Sequence, residues 1–195
     1  MEAFSDGVFA IAITLLALEL KVPHLSAEGG QSTAAALAAS LSSEWPSYFA
    51  FVTSFFTVLI MWVHHHVIFQ LVHCTDALLL FANGLLLLFV TAVPFSTAIV
   101  AEYFATPAAS TACLVYTRTF VLIAVLFYLL LMAAFRASTL GPESREATVL
   151  RLRRDYRFGP PAYLLATLAA PFSPWLAMLI CTALWIFWAA TTREC

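Results

Sequence analysis

Apolar residues in this chain fall in long runs of roughly 20, the number of helical residues that crosses about 30 Å of hydrocarbon at about 1.5 Å per residue. The runs predict six spans, at residues 5–22, 47–66, 77–100, 112–135, 160–170 and 174–190. The first ends before Pro23, because proline disfavours the helical conformation in the residue ahead of it. Residues 24–46, with Gly29-Gly30 and many Ala and Ser, read as a loop holding a short helix at 34–41. The last apolar stretch, 158–191, is too long for one crossing, and Pro171 and Pro174 divide it into the fifth and sixth spans.

Composition agrees with this pattern. Of 195 residues, 63% are hydrophobic and 10% charged, against about 25% charged in soluble domains. The chain therefore reads as an all-α membrane protein, one six-helix transmembrane domain covering residues 1–195, with no soluble domain. The first run lacks a basic leader and a small-residue cleavage site, so it is expected to remain in the mature protein rather than act as a signal peptide. Cys74, Cys113, Cys181 and Cys195 show no C-x-x-C spacing and are expected as free thiols. A net charge of −2 supplies no basic footprint for nucleic acid.

Charge placement sets the expected topology. Arg136, Arg145, Arg151, Arg153, Arg154 and Arg157 all lie between the fourth and fifth spans, which makes that loop cytoplasmic. Counting through the spans then puts both termini inside, with Arg193 near the C-terminal end, the 23–46 loop outside and the 64–76 turn inside. The outer side carries Glu19, Glu28, Glu44 and Glu102 against Lys21, a mildly acidic balance that favours cations.

The opening segment Phe4-Ser5-Asp6-Gly7-Val8-Phe9-Ala10-Ile11-Ala12-Ile13-Thr14-Leu15-Leu16-Ala17-Leu18-Glu19-Leu20 closely resembles the signature of the transmembrane protein 175 family of potassium channels. Similar stretches follow at His65-His66-Val67-Ile68-Phe69, and at Asp76 with Asn83-Gly84-Leu85-Leu86-Leu87-Leu88-Phe89 and Val93-Pro94-Phe95. These cover roughly the first half of the chain, and the remainder matches in hydropathy only. The arginine that the family's motif places four residues before the phenylalanine would fall ahead of Met1. The resemblance implies a prokaryotic-type channel subunit in the cell membrane, one six-helix repeat per chain, assembling in lipid as a homotetramer with the first helix lining a central pore for K+ ions. It further implies selectivity and gating by apolar rings at Ile11, Leu15 and Leu18, with a hydroxyl ring at Thr14. Nothing in the chain resembles the T-V-G-Y-G carbonyl filter.

Helical geometry is compatible with that role. At 100° per residue, Ile11, Leu15 and Leu18 fall within about 60° of one another and span roughly 10 Å of rise, with Thr14 at the edge of the stripe. Repeated around an axis, such rings form a constriction that can dewet. The same stripe, without a pore, would face lipid or core.

At the inner end, Ser5 and Asp6 suit the cap of the first helix. His64, His65 and His66 close the second span at the same depth, so Phe4, Ser5, Asp6, His65 and His66 are expected to form a structural packing network. Three consecutive histidines point about 100° apart, and no acidic or Cys ligand stands at i+4, which disfavours a metal site. No cofactor is expected. Arg118, within the fourth span, calls for a partner such as Glu102 or Glu19, or for snorkelling.

The competing function is a secondary transporter or small-molecule permease, which calls for paired repeats and broken helices at corresponding positions; neither is seen. Enzyme chemistry lacks a G-x-S-x-G or H-E-x-x-H context, and voltage sensing lacks arginines at every third position.

Overall fold

The computed structural model describes residues 2–23, 34–136 and 146–191, so Glu28, Gly29-Gly30, Arg145, Arg193 and Cys195 lie outside the described residues. Among the described residues the chain is entirely helical: α1 (Glu2–Leu16), a 3-10 turn (Ala17–Glu19), α2 (Ala34–Ser43), α3 (Trp45–Gln70), α4 (Ala77–Thr91), α5 (Val93–Tyr103), α6 (Ala109–Ala134), α7 (Glu146–Tyr156), α8 (Gly159–Ala169) and α9 (Pro174–Thr191).

Local chemistry explains most of the boundaries. Pro46 lies in the first turn of α3, where a missing N–H costs nothing. Asp76 caps α4 by accepting from the Leu79 N–H at 2.8 Å, and Ser173 caps α9 by accepting from Leu176 at 3.2 Å. The predicted third span is broken at Ala92 because Pro94 has no N–H to return to the preceding turn; α4 and α5 together still make one apolar stretch, Ala77–Tyr103. The expected end of the second span at His66 is corrected to Gln70, so the three histidines lie inside a helix. The first span, expected to reach Val22, is α-helical only to Leu16 and tightens into the 3-10 turn before Pro23.

Four helical stretches are long and apolar enough to cross a membrane: Trp45–Gln70, Ala77–Tyr103, Ala109–Ala134 and Pro174–Thr191. This corrects the expectation of six such spans. With 15 and 11 residues, α1 and α8 fall short of the roughly 20 that a full crossing requires. The helix α7 was not expected at all. Its apolar side chains recur as Val149, Leu152 and Tyr156, all buried, at a helical period that the surrounding arginines mask in a search for long apolar runs.

The core forms where α6 packs against α4, α5, α8 and α9, and where α3 packs on α1, α5 and α9. Phe120 and Tyr163 stack across α6 and α8 with ring centroids 5.8 Å apart. Gly159, opening α8, sits so close to α9 that an added Cβ would meet the Trp188 ring at 3.4 Å. A chain of buried hydroxyls crosses the same core: Thr97 of α5 lies 2.8 Å from Ser54 of α3, which lies 3.0 Å from the Tyr116 hydroxyl of α6. These contacts keep the buried Ser54 and Tyr116 hydroxyls paired. Near the other end, Glu102 pairs with Lys21. Arg118 is exposed, and no ion pair to it occurs among the described residues.

Tyr116→Phe should therefore leave Ser54 short of a partner and cost about 1 kcal/mol, the net worth of one buried hydrogen bond. Unfolding of the purified protein in mixed micelles by denaturing detergent checks this; an unchanged midpoint would mean the hydroxyl chain contributes nothing to stability.

Candidate functional site

Helix α1 divides cleanly into two faces. Ser5, Phe9, Ala12 and Leu16, spaced by four, three and four residues, are buried against α3, α4 and α5. On the opposite side Phe4 is 71% exposed, Ile11 59%, Leu15 40% and Leu18 75%, and Gly7 and Thr14 are exposed between them. The four residues expected at a pore, Ile11, Thr14, Leu15 and Leu18, thus share the face that this subunit leaves uncovered. A Cβ added to Gly7 would meet nothing within 4 Å, so the subunit's own packing does not require a glycine there. The Thr14 hydroxyl donates to the Ile11 carbonyl at 2.9 Å, which holds its oxygen against the helix with lone pairs still available.

Polar contacts hold the buried face in register. Asn83 of α4 donates through Nδ2 to Ser5 Oγ at 3.0 Å and accepts through Oδ1 from His65 Nε2 of α3 at 2.7 Å. One amide therefore joins three helices, and because its oxygen can only accept, His65 must carry its proton on Nε2. Phe9 packs on the His65 ring with centroids 5.3 Å apart, and Phe69 stacks on it at 4.5 Å. A second tie joins Asp6 to α3, where Trp62 donates from Nε1 to Asp6 Oδ1 at 2.8 Å. His66 Nε2 accepts from Gln70 Nε2 at 2.9 Å, which leaves Nδ1–H directed towards Glu2 at 3.8 Å. His64 faces another way, 3.3 Å from the Trp188 carbonyl of α9.

Of the residues expected at the inner end, the structure brings Ser5 and His65 together through Asn83, ties Asp6 to α3, and places His66 beside Glu2. Phe4 joins none of them. It sits one residue, or 100°, from Ser5 and so falls on the outward stripe with Ile11 and Leu18. Two contributors were missed as site residues, Trp62 and Asn83. Asn83 was visible as the only amide in the apolar run 77–92, a position where an unpaired polar group would be expensive. Trp62 carried no signal beyond lying one turn before His66. Among the described residues, no group of three or more His, Cys, Asp or Glu side chains is placed to hold a metal.

The fold and the site define a helical membrane protein whose first helix is fixed on one side and bare on the other. Residues 1–94 match the family model described as the endosomal/lysosomal potassium channel TMEM175. The chain is 48% identical over 191 residues to a protein of Chamaesiphon minutus named a potassium channel, covering 97% of this chain and 92% of that one. It superimposes with a TM-score of 0.87 on the crystal structure of a lysosomal potassium-selective channel TMEM175 homolog from Chamaesiphon minutus, at 46% identity over 98% of this chain and 95% of that one. The human endosomal/lysosomal proton channel TMEM175 is 36% identical over 99 residues, 49% of this chain and 19% of its own length. The chain belongs to the TMEM175 family.

Asn83→Ala should destabilise the protein more than Asp6→Asn. The first strands the His65 N–H in an apolar interior, at about 1–3 kcal/mol for one unsatisfied buried group, and removes the Asn83 contact from Ser5. The second keeps an oxygen that accepts from Trp62. Thermal unfolding in detergent checks the order, and equal losses would show that the Asn83 bridge does not hold α1 in place.

Proposed function

We propose that this chain is a subunit of a potassium channel in which four copies surround a central pore lined by the outward face of α1. The observation that carries this reading is the continuous exposed stripe of Ile11, Leu15 and Leu18 on a helix whose other face is anchored by Ser5 and Asp6. The relative named as a potassium channel, matched over 97% of this chain, supplies the ion. A stripe facing only lipid would not call for Thr14 and Gly7 on the same side, whereas a pore uses both, the hydroxyl oxygen towards a passing ion and the glycine as a wide point between the Phe4 and Ile11 rings.

In this reading the chain is a single channel domain crossing the cell membrane several times, with both termini cytoplasmic. The shorter α1 stands at the centre of the tetramer, where protein and pore water replace lipid. Exposed apolar side chains of the outer helices, such as Phe81, Leu88 and Leu165, face lipid. Selectivity needs no carbonyl filter. A ring of Ile or Leu makes dehydration costly, and the cost is greater for sodium, which holds its water more tightly.

Purified protein in potassium-loaded vesicles should show electrogenic potassium efflux exceeding that of sodium. Strict coupling of efflux to a counter-ion would replace the channel by a transporter. Ile11→Asn and Leu18→Asn should each raise basal flux and reduce potassium preference, since a polar ring gives water partners where the constriction offered none. Thr14→Val, similar in size but without the oxygen, should lower potassium preference with little change in leak. Native mass spectrometry in mild detergent should give the mass of four subunits. Unchanged leak and ion preference in all three variants, at equal amounts of assembled protein, would remove α1 from the conduction path.

A further inference from the structure

The helix α7 carries a face that the subunit's packing does not use. Its inner side is well anchored: Val149, Leu152 and Tyr156 are buried, Tyr156 packs on His64 and Trp188 with ring centroids 5.5 and 5.4 Å away, and Arg153 donates through Nη2 to the Phe135 carbonyl at 3.0 Å, closing the C-terminal end of α6. On the outer side Leu150 and Arg154 lie one turn apart and are exposed, and Arg157 and Phe158 are exposed in the short turn that leads into α8. Basic and large apolar side chains therefore alternate on one surface. That surface sits where the apolar helix α6 ends and the apolar helix α8 begins.

We propose that this face of α7 binds the headgroups of anionic phospholipids. Arg154 and Arg157 would meet the phosphates while Leu150 and Phe158 enter the acyl boundary, the division of labour of an interfacial amphipathic helix. Asp155 is the one carboxylate among the described α7 side chains, 3.3 Å from Arg154 and 3.7 Å from Arg151. It does not quench the patch: its side chain is 19% exposed against 71% for Arg154, so the cation and not the acid is presented outward. A free anion would use the arginines alone and leave two large apolar side chains in water, whereas a lipid surface uses all four. Six of the nine basic residues of the chain lie between residues 136 and 157, which makes this end the chain's main positive region.

The test is native mass spectrometry of the detergent-solubilised full chain titrated with phosphatidylglycerol or phosphatidylcholine, a readout independent of ion conduction. Wild type should retain phosphatidylglycerol preferentially. Arg154→Gln with Arg157→Gln should lose that preference by roughly fivefold per arginine, the factor that about 1 kcal/mol per juxtamembrane basic residue corresponds to. Arg154→Lys with Arg157→Lys should keep most of it, because the interaction is with charge. No preference in wild type, or an unchanged preference in the Gln pair with a normal gel-filtration profile, overturns the proposal. So does dissociation of the oligomer in the Gln pair without loss of bound lipid, which would assign this face to a second copy of the chain.

Discussion

The bridge from Ser5 through Asn83 to His65 is the constraint on which the rest depends. A helix as short and apolar as α1 has little to choose between its faces by hydrophobicity, because Phe9, Leu16, Ile11 and Leu18 are all comfortable against protein or lipid. Polar groups break that degeneracy. Ser5 and Asp6 find partners on α4 and α3, and a polar group left unpaired in an apolar environment costs more than a rotated helix could recover through apolar packing. Rotation by one residue would bury Phe4 or Asp6 in place of Ser5 and expose Phe9.

From that anchoring the outward stripe follows as a geometric necessity. With Ser5, Phe9, Ala12 and Leu16 turned in, helical periodicity leaves Phe4, Ile11, Leu15 and Leu18 turned out. The same residues that settle the helix therefore aim the side chains that would meet an ion, although none of the anchoring residues would touch one. The hydroxyl chain of Thr97, Ser54 and Tyr116 performs a similar service deeper in the bundle, tying α3 to α5 and α6.

The division of α1 also bears on how α7 behaves. Both are helices with one face committed by specific polar contacts and one face bare. In α1 the bare face is uniformly apolar apart from Thr14, which suits a constriction or another helix. In α7 it mixes exposed Arg154 and Arg157 with Leu150 and Phe158, which suits the boundary between water and lipid. The two bare surfaces thus call for different neighbours, and only side-chain chemistry separates them.

How much of this was legible beforehand depends on the range of the signal. Run length, proline positions and the motif around Phe4-Ser5-Asp6 determined the all-helical membrane class, the family and the stripe of Ile11, Thr14, Leu15 and Leu18, because those depend on periodicity within one helix. Helix ends were less readable: α3 continues to Gln70 since nothing after His66 interrupts its hydrogen bonding, and α7 was hidden because its period is carried by only three apolar residues among arginines. Which side of α1 faces inward, and that Asn83 and Trp62 hold it there, was decided by tertiary structure alone. Asn83 is 78 residues from Ser5 and Trp62 is 56 from Asp6, and no local propensity states that such distant polar groups will meet. Only the packed bundle, by denying them water, makes them partners.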